Sequence, residues 1–148
     1  MQNLWNDTEA ARYAGEIGPR VYTSRLLGRD PTLVLHGGGN TSVKAKARNA
    51  VGEEEDILYV KGSGWDMGKI EPPGLPAVRL EPIKRLYELD ALSDEDMVNV
   101  QRLNLLDSAA PNPSVETLFH AFLPHKFVDH THANAVVALT DQPDGEAK

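Results

Sequence analysis

The 148-residue chain has the length of one ordinary domain, 1–148, and at 41% hydrophobic residues it can bury a core. It contains no cysteine. That excludes disulfides, Cys-ligated zinc, iron–sulfur clusters and a thiol nucleophile, so any metal must be held by His, Asp or Glu. The formal charge of −7, with basic residues clustered only at Lys44, Lys46 and Arg48, argues against a nucleic-acid partner. No run approaches the ~20 apolar residues of a bilayer span, and the N-terminus lacks the apolar stretch of a signal peptide. The expectation is a cytoplasmic protein with no membrane partner.

In chain order, Asp7 is placed to cap a first helix running to Glu16, and Pro19 to open a second that ends at Gly28. Thr32 to Leu35 reads as a short buried strand, the loop His36-Gly37-Gly38-Gly39-Asn40 as a hairpin turn, and Thr41 to Ala47 as the returning strand. After the acidic stretch Glu53 to Asp56, Ile57 to Val60 is a third strand that runs into a second glycine loop, Lys61-Gly62-Ser63-Gly64. Lys69 to Pro76 is rich in Pro and Gly and reads as irregular. Pro82 starts a short helix ending near Leu89, and Ser93 with Asp96 forms a capping box for a helix to about Asp107. After Pro111-Asn112-Pro113, Ser114 is an N-cap for a helix from Val115 to about Leu123, followed by a strand Phe127 to His132 and a helix Ala133 to Leu139. This interleaving predicts one α/β domain with a sheet covered on both faces.

Strand periodicity puts His130 and His132 on one face, where both imidazoles can reach one ion; the alternative is a solvent-facing or hydrogen-bonded pair. Two ligands leave a catalytic zinc site one short. Glu116, in the first turn of its helix, can serve a neighbouring site as base or ligand, or can simply favour the helix dipole. His120, four residues on, is a rival ligand or an ordinary helix-face partner of Glu116. His36 and His125 have no partner spacing and read as structural or surface residues. In the glycine loops, backbone N–H groups with Asn40 and Ser63 can cradle an anion, Lys61 supplying charge; equally, these are turns needing positive φ. Neither the Walker spacing nor the dinucleotide fingerprint fits the first loop, which disfavours nucleotide binding.

Taken in order, Gly39-Asn40-Thr41-Ser42, Lys61-Gly62-Ser63-Gly64, Pro113-Ser114-Val115-Glu116 and His130-Thr131-His132 resemble the class II aldolase/adducin family. The likeness runs from about Val21 to Thr140 and is strongest to the rhamnulose-phosphate-aldolase-like portion of long proteins that also carry a short-chain dehydrogenase domain. It implies a three-layer α/β/α fold with a central, mostly antiparallel sheet, truncated at its C-terminal side. It also implies metal-dependent retro-aldol cleavage of a phosphorylated sugar through a metal-stabilised enediolate. The same site suits a sugar-phosphate epimerase or dehydratase, and the same fold a non-catalytic adducin-like assembly module. By resemblance Asn40, Ser63, Gly64 and Ser114 bind the substrate phosphate, Glu116 is the acid/base, and His130 and His132 hold a divalent metal, most simply zinc. The family's third His ligand lies further downstream, which implies that this chain alone binds metal weakly or not at all and shows no appreciable aldolase activity. Val115 stands where the family commonly has a second Ser. A homotetramer is the implied assembly.

Overall fold

The computed structural model describes residues 3–147. Helix α1 covers Asp7–Ala10 and α2 Gly18–Gly28; strand β1 is Asn40–Arg48, β2 Glu54–Val60 and β3 Ala77–Arg79; helices α3 (Leu80–Lys84), α4 (Asp94–Leu103) and α5 (Thr117–Phe122) precede strand β4 (Phe127–His130) and helix α6 (Asn134–Thr140). The strands form one sheet in the order β3-β2-β1-β4, with every neighbouring pair antiparallel. Its two faces follow from the period of two along β2. Leu58 and Val60 point into a cluster with Val78, Leu80, Ile83, Leu105 and Ala121, roofed by α3 and α5. Tyr59 packs on the other side against Val21 of α2, Ile70 and Leu75. Helices therefore cover both sheet faces, and the architecture is the three-layer α/β/α arrangement with an antiparallel sheet.

Several elements differ from the sequence reading, each for a local reason. The cap of α1 is Asn6, whose side chain accepts the Glu9 N–H at 3.0 Å, and the helix ends at Ala10 well short of Gly15, which lies at φ 84°. Thr32 to Leu35 is not a strand. The Asp30 carboxylate accepts both the Thr32 N–H (2.9 Å) and its hydroxyl (2.6 Å), and the Asp30 carbonyl takes the N–H groups of Leu33 and Val34, so a side-chain-locked turn wins over the ladder. Consequently the first glycine loop leads into β1 and turns no hairpin. The hairpin is β1–β2, closed through Asn49 and Gly52.

The acidic stretch joins β2 because cations face it: Lys46 pairs with Glu54 at 3.0 Å and Arg79 with Glu55 at 2.7 Å. Strand β3 was not expected. Helix α3 starts at Leu80, with Pro82 inside its first turn where no N–H is needed. Ser93 caps α4 as expected, its hydroxyl accepting the Asp96 N–H at 3.1 Å, but the helix stops at Leu103, where the Asn104 side chain bonds the Val100 carbonyl at 2.8 Å. Helix α5 begins at Thr117, so Ser114 lies before the cap position and Glu116 occupies it. Strand β4 stops at His130 and α6 begins at Asn134. Among the described residues no helix is long and apolar enough to cross a membrane.

Candidate metal centre

The site forms where β1 begins and β4 ends, since Asn40 and His130 face each other in the antiparallel register. That end of β1 is anchored from α2: Ser24 bonds the Thr41 hydroxyl at 2.7 Å, and buried Arg20 reaches the Ser42 carbonyl (3.3 Å) and the Asp129 carboxylate (2.6 Å). Burial lowers the Arg20 pKa, and its pairing with Asp129 opposes that shift. Beyond His130 the chain leaves the sheet, yet it stays tied, because the His132 N–H donates to the Leu33 carbonyl at 2.9 Å. Both imidazoles therefore meet, with ring centroids 4.8 Å apart, although only His130 is in the strand.

Space beside them is tight at Gly38, and at Gly39 glycine is required. A Cβ at Gly38 would stand 3.3 Å from His132 Nδ1; one at Gly39, which has φ 69°, would stand 2.9 Å from the His130 carbonyl oxygen.

Glu116 arrives from the opposite side through the turn that starts α5, in which the Ser114 hydroxyl accepts the Glu116 N–H at 3.3 Å. Its Oε2 lies 2.7 Å from His130 Nδ1 and 3.9 Å from His120 Nε2. One donor atom each from Glu116, His130 and His132 lies within 4.8 Å of the others. Two imidazoles and one carboxylate converging at partly exposed positions match the donor chemistry of divalent transition metals with coordination positions left open. His130 and His132 thus fit the divalent ion that the sequence suggests, with the Glu116 carboxylate beside them. Beside them Glu116, Phe119 and His130 line a small pocket of about 160 Å³. A larger cleft of about 320 Å³ beside α2 is lined by Trp5, Leu26, Leu27 and Leu33 together with Thr23, Asp30 and Asp129; among the described residues the three-donor cluster that could hold a metal is the one at Glu116, His130 and His132.

The second glycine loop reaches the same region. The Ser114 N–H donates to the Lys61 carbonyl and the Ser63 N–H to the Asn112 carbonyl (2.9 Å), so the loop runs alongside the segment that delivers Glu116. Lys61 is buried, and its ammonium donates to the carbonyls of Gly37 (3.2 Å) and Trp65 (2.8 Å), strutting the two loops together and leaving one of its three N–H donors. Burial draws the Lys61 pKa down, against Glu116 and Asp66. Of the other anion-binding candidates, Asn40 is fully buried: its Oδ1 accepts the Thr41 N–H at 2.7 Å, and its Nδ2 has no partner among the described residues. Ser63 and Gly64 are exposed, Gly64 at φ 77° with open space around it. Ser114 is buried with its hydroxyl beside Glu116. His36 and His125 are exposed and apart from the cluster.

Ser42, which the sequence marks only as the end of the first loop motif, is given a partner by the structure. It is fully buried and bonded through Oγ to His120 Nδ1 at 2.8 Å. The available signals were its place in the motif Gly39-Asn40-Thr41-Ser42 and the four-residue spacing of Glu116 and His120.

Residues 20–147 match the family described as class II aldolase and adducin N-terminal domain. The chain is similar to the Bacillus subtilis (strain 168) protein named uncharacterized oxidoreductase YuxG, with 37% identity over 146 residues, which is 99% of this chain and 21% of that protein. It is also similar to the solved N-terminal class II aldolase domain of a conserved protein from Thermoplasma acidophilum, at 42% identity and a TM-score of 0.88, covering 97% of this chain and 65% of that one. The chain thus spans about a fifth of one relative and about two thirds of the other.

Proposed function

The chain belongs to the class II aldolase and adducin N-terminal domain family, and on that footing we propose that it supplies the metal- and phosphate-binding part of an aldolase-type lyase acting on a phosphorylated sugar. The observation that carries the reading is the convergence of Glu116, His130 and His132 within 4.8 Å next to two glycine loops strutted by Lys61. A divalent cation, most simply zinc, held by His130 and His132 would supply Lewis-acid polarisation of a substrate carbonyl. Glu116 accepts and returns the proton at Oε2, which faces His130 directly and has side-chain freedom at its half-buried position. Asn40 offers the substrate phosphate its unpartnered Nδ2, with Ser63, Gly64 and Ser114 around it and the remaining Lys61 N–H as the charged donor. Binding the far end of the sugar in this way fixes the reacting carbons against the metal side.

The word oxidoreductase in the name of the Bacillus relative stays with that longer protein. The first glycine loop here enters a strand, where a dinucleotide loop would enter a helix. A test is cleavage of a panel of ketose phosphates by the longest natural protein that contains this chain, stripped of metal and reloaded with zinc, with product identity read by NMR. Metal-dependent formation of two carbonyl products, abolished by Glu116→Gln, is the expected result. Epimerised or dehydrated products would move the protein to those reactions, and the lack of both metal binding and turnover would make it an assembly module. Asn40→Ala should weaken sugar-phosphate binding by roughly 1–3 kcal/mol if a buried hydrogen bond to phosphate is lost.

A further inference from the structure

His120 is fully buried, and its two ring nitrogens meet different surroundings. Nδ1 is 2.8 Å from the hydroxyl of Ser42, a residue itself fully buried on β1. Nε2 is buried with no hydrogen-bond partner among the described residues and looks at Glu116 Oε2 from 3.9 Å. A buried polar atom left unpaired costs on the order of 1–3 kcal/mol, so its retention beside the proposed base calls for an account.

The tautomer follows from simple electrostatics. A lone pair on Nε2 would face the lone pairs of an ionised carboxylate, whereas an N–H there would be attracted to it. The Ser42 hydroxyl can donate to Nδ1 and thereby leave the proton on Nε2, in the way that a partner on one ring nitrogen sets the role of the other. The gap of 3.9 Å is about 1 Å longer than an ordinary N–H···O bond. Glu116 sits at the cap position with a half-exposed side chain, so a small rotation closes that gap. The same Oε2 already touches His130 Nδ1 at 2.7 Å, and a cation taken up by the two exposed-side histidines competes with that contact.

We propose that His120 is a positioning residue for Glu116: Ser42 fixes it as the Nε2–H tautomer, and that N–H holds the Glu116 carboxylate in the site when its contact with His130 is given up. The inference rests on the reading of Glu116 as the base, and it adds a pair, Ser42 and His120, that touches neither the proposed ion nor substrate.

Long-range proton–nitrogen NMR of the metal-free, nitrogen-15-labelled chain tests it without any turnover. The expected result is a neutral His120 protonated on Nε2, an Nε2–H resonance that moves on Glu116→Gln, and loss of the single tautomer in Ser42→Ala. His120→Gln, which keeps a donor in place of Nε2–H, should leave the His130 ring resonances near their wild-type positions, whereas His120→Phe should shift them because Glu116 loses its second partner. A proton found on Nδ1, or a His120 ring insensitive to Glu116→Gln, would overturn the proposal. If His120→Phe fails to fold, the Ser42→Ala and Glu116→Gln spectra still decide. Zinc titration of the wild type separates the two readings. Absence of binding there would remove the metal centre, while the tautomer result decides the role of His120 on its own.

Discussion

The two ends of β1 solve opposite problems with the same backbone. At the Arg48 end the strand turns into β2 at the surface, and its polar groups are paired: Asn49 bonds Glu53 and Glu55, Arg48 bonds the Gly52 carbonyl, and Lys46 faces Glu54. At the Asn40 end the strand is fully buried from Asn40 to Ser42. There, Asn40 Nδ2 and His120 Nε2 have no partners among the described residues, His36 adopts φ 52°, and Gly39 is wedged against the end of β4. Satisfied polar groups cost little and do little. Buried donors left without partners lower stability, and they are retained where a ligand or a moving side chain can use them.

Glycine substitutions break the comparison most sharply. Gly39→Ala should cost roughly 2–5 kcal/mol, because the left-handed backbone penalty adds to overpacking against the His130 carbonyl, the Met67 sulfur and Val34. Chemical denaturation reads this as a lower midpoint. Gly52→Ala, at φ 88° with nothing near the added methyl, should cost only the backbone penalty of roughly 1–2 kcal/mol. Equal losses at the two positions would show that crowding at the β4 contact is absent.

Between these two in size lies the effect of acid. Burial lowers the His120 pKa to about 4 from its ordinary 6.5, against the pull of Glu116. The unfolded chain therefore takes up a proton near pH 6.5 that the folded one refuses until about 4. Stability from this group is fully present above pH 6.5 and is lost as pH falls from 6.5 towards 4, on the order of 1–3 kcal/mol. His120→Gln should flatten that part of the stability–pH curve, and an unchanged slope would assign the acid loss to other groups. At the hairpin end, Lys46→Ala should leave the melting temperature unchanged, since exposed ion pairs contribute little.

The same contrast explains what the sequence could say. Elements set by short-range chemistry were legible: Pro19 at the start of α2, Ser93 at the cap of α4, and Ile57 to Val60 as strand, with the acidic residues ahead of them added by cross-strand cations. The strand expected at Thr32 to Leu35 failed because the Asp30 side chain competes for the backbone, a contest that hydrophobic pattern does not register. Strand alternation put His130 and His132 together, and the structure does so by a different route, a strand end followed by a backbone bond to Leu33. The approach of Glu116 to His130, fourteen residues away, depends on how α5 lies across the sheet; its place in the first helical turn made Glu116 a candidate, and family resemblance added the role, but no local signal contains the distance. The bond of Ser42 to His120 stayed hidden because its partner is seventy-eight positions away.

The most direct measurement is calorimetric titration of zinc into the chain at pH 7 and into His130→Ala, His132→Ala and Glu116→Gln. One-to-one binding that is lost in both histidine variants and weakened in Glu116→Gln, while the folded state of each variant persists by circular dichroism, is the result this account predicts. Binding of equal strength in all four proteins, or none in the wild type, would contradict a metal centre held by His130 and His132 beside the Glu116 carboxylate.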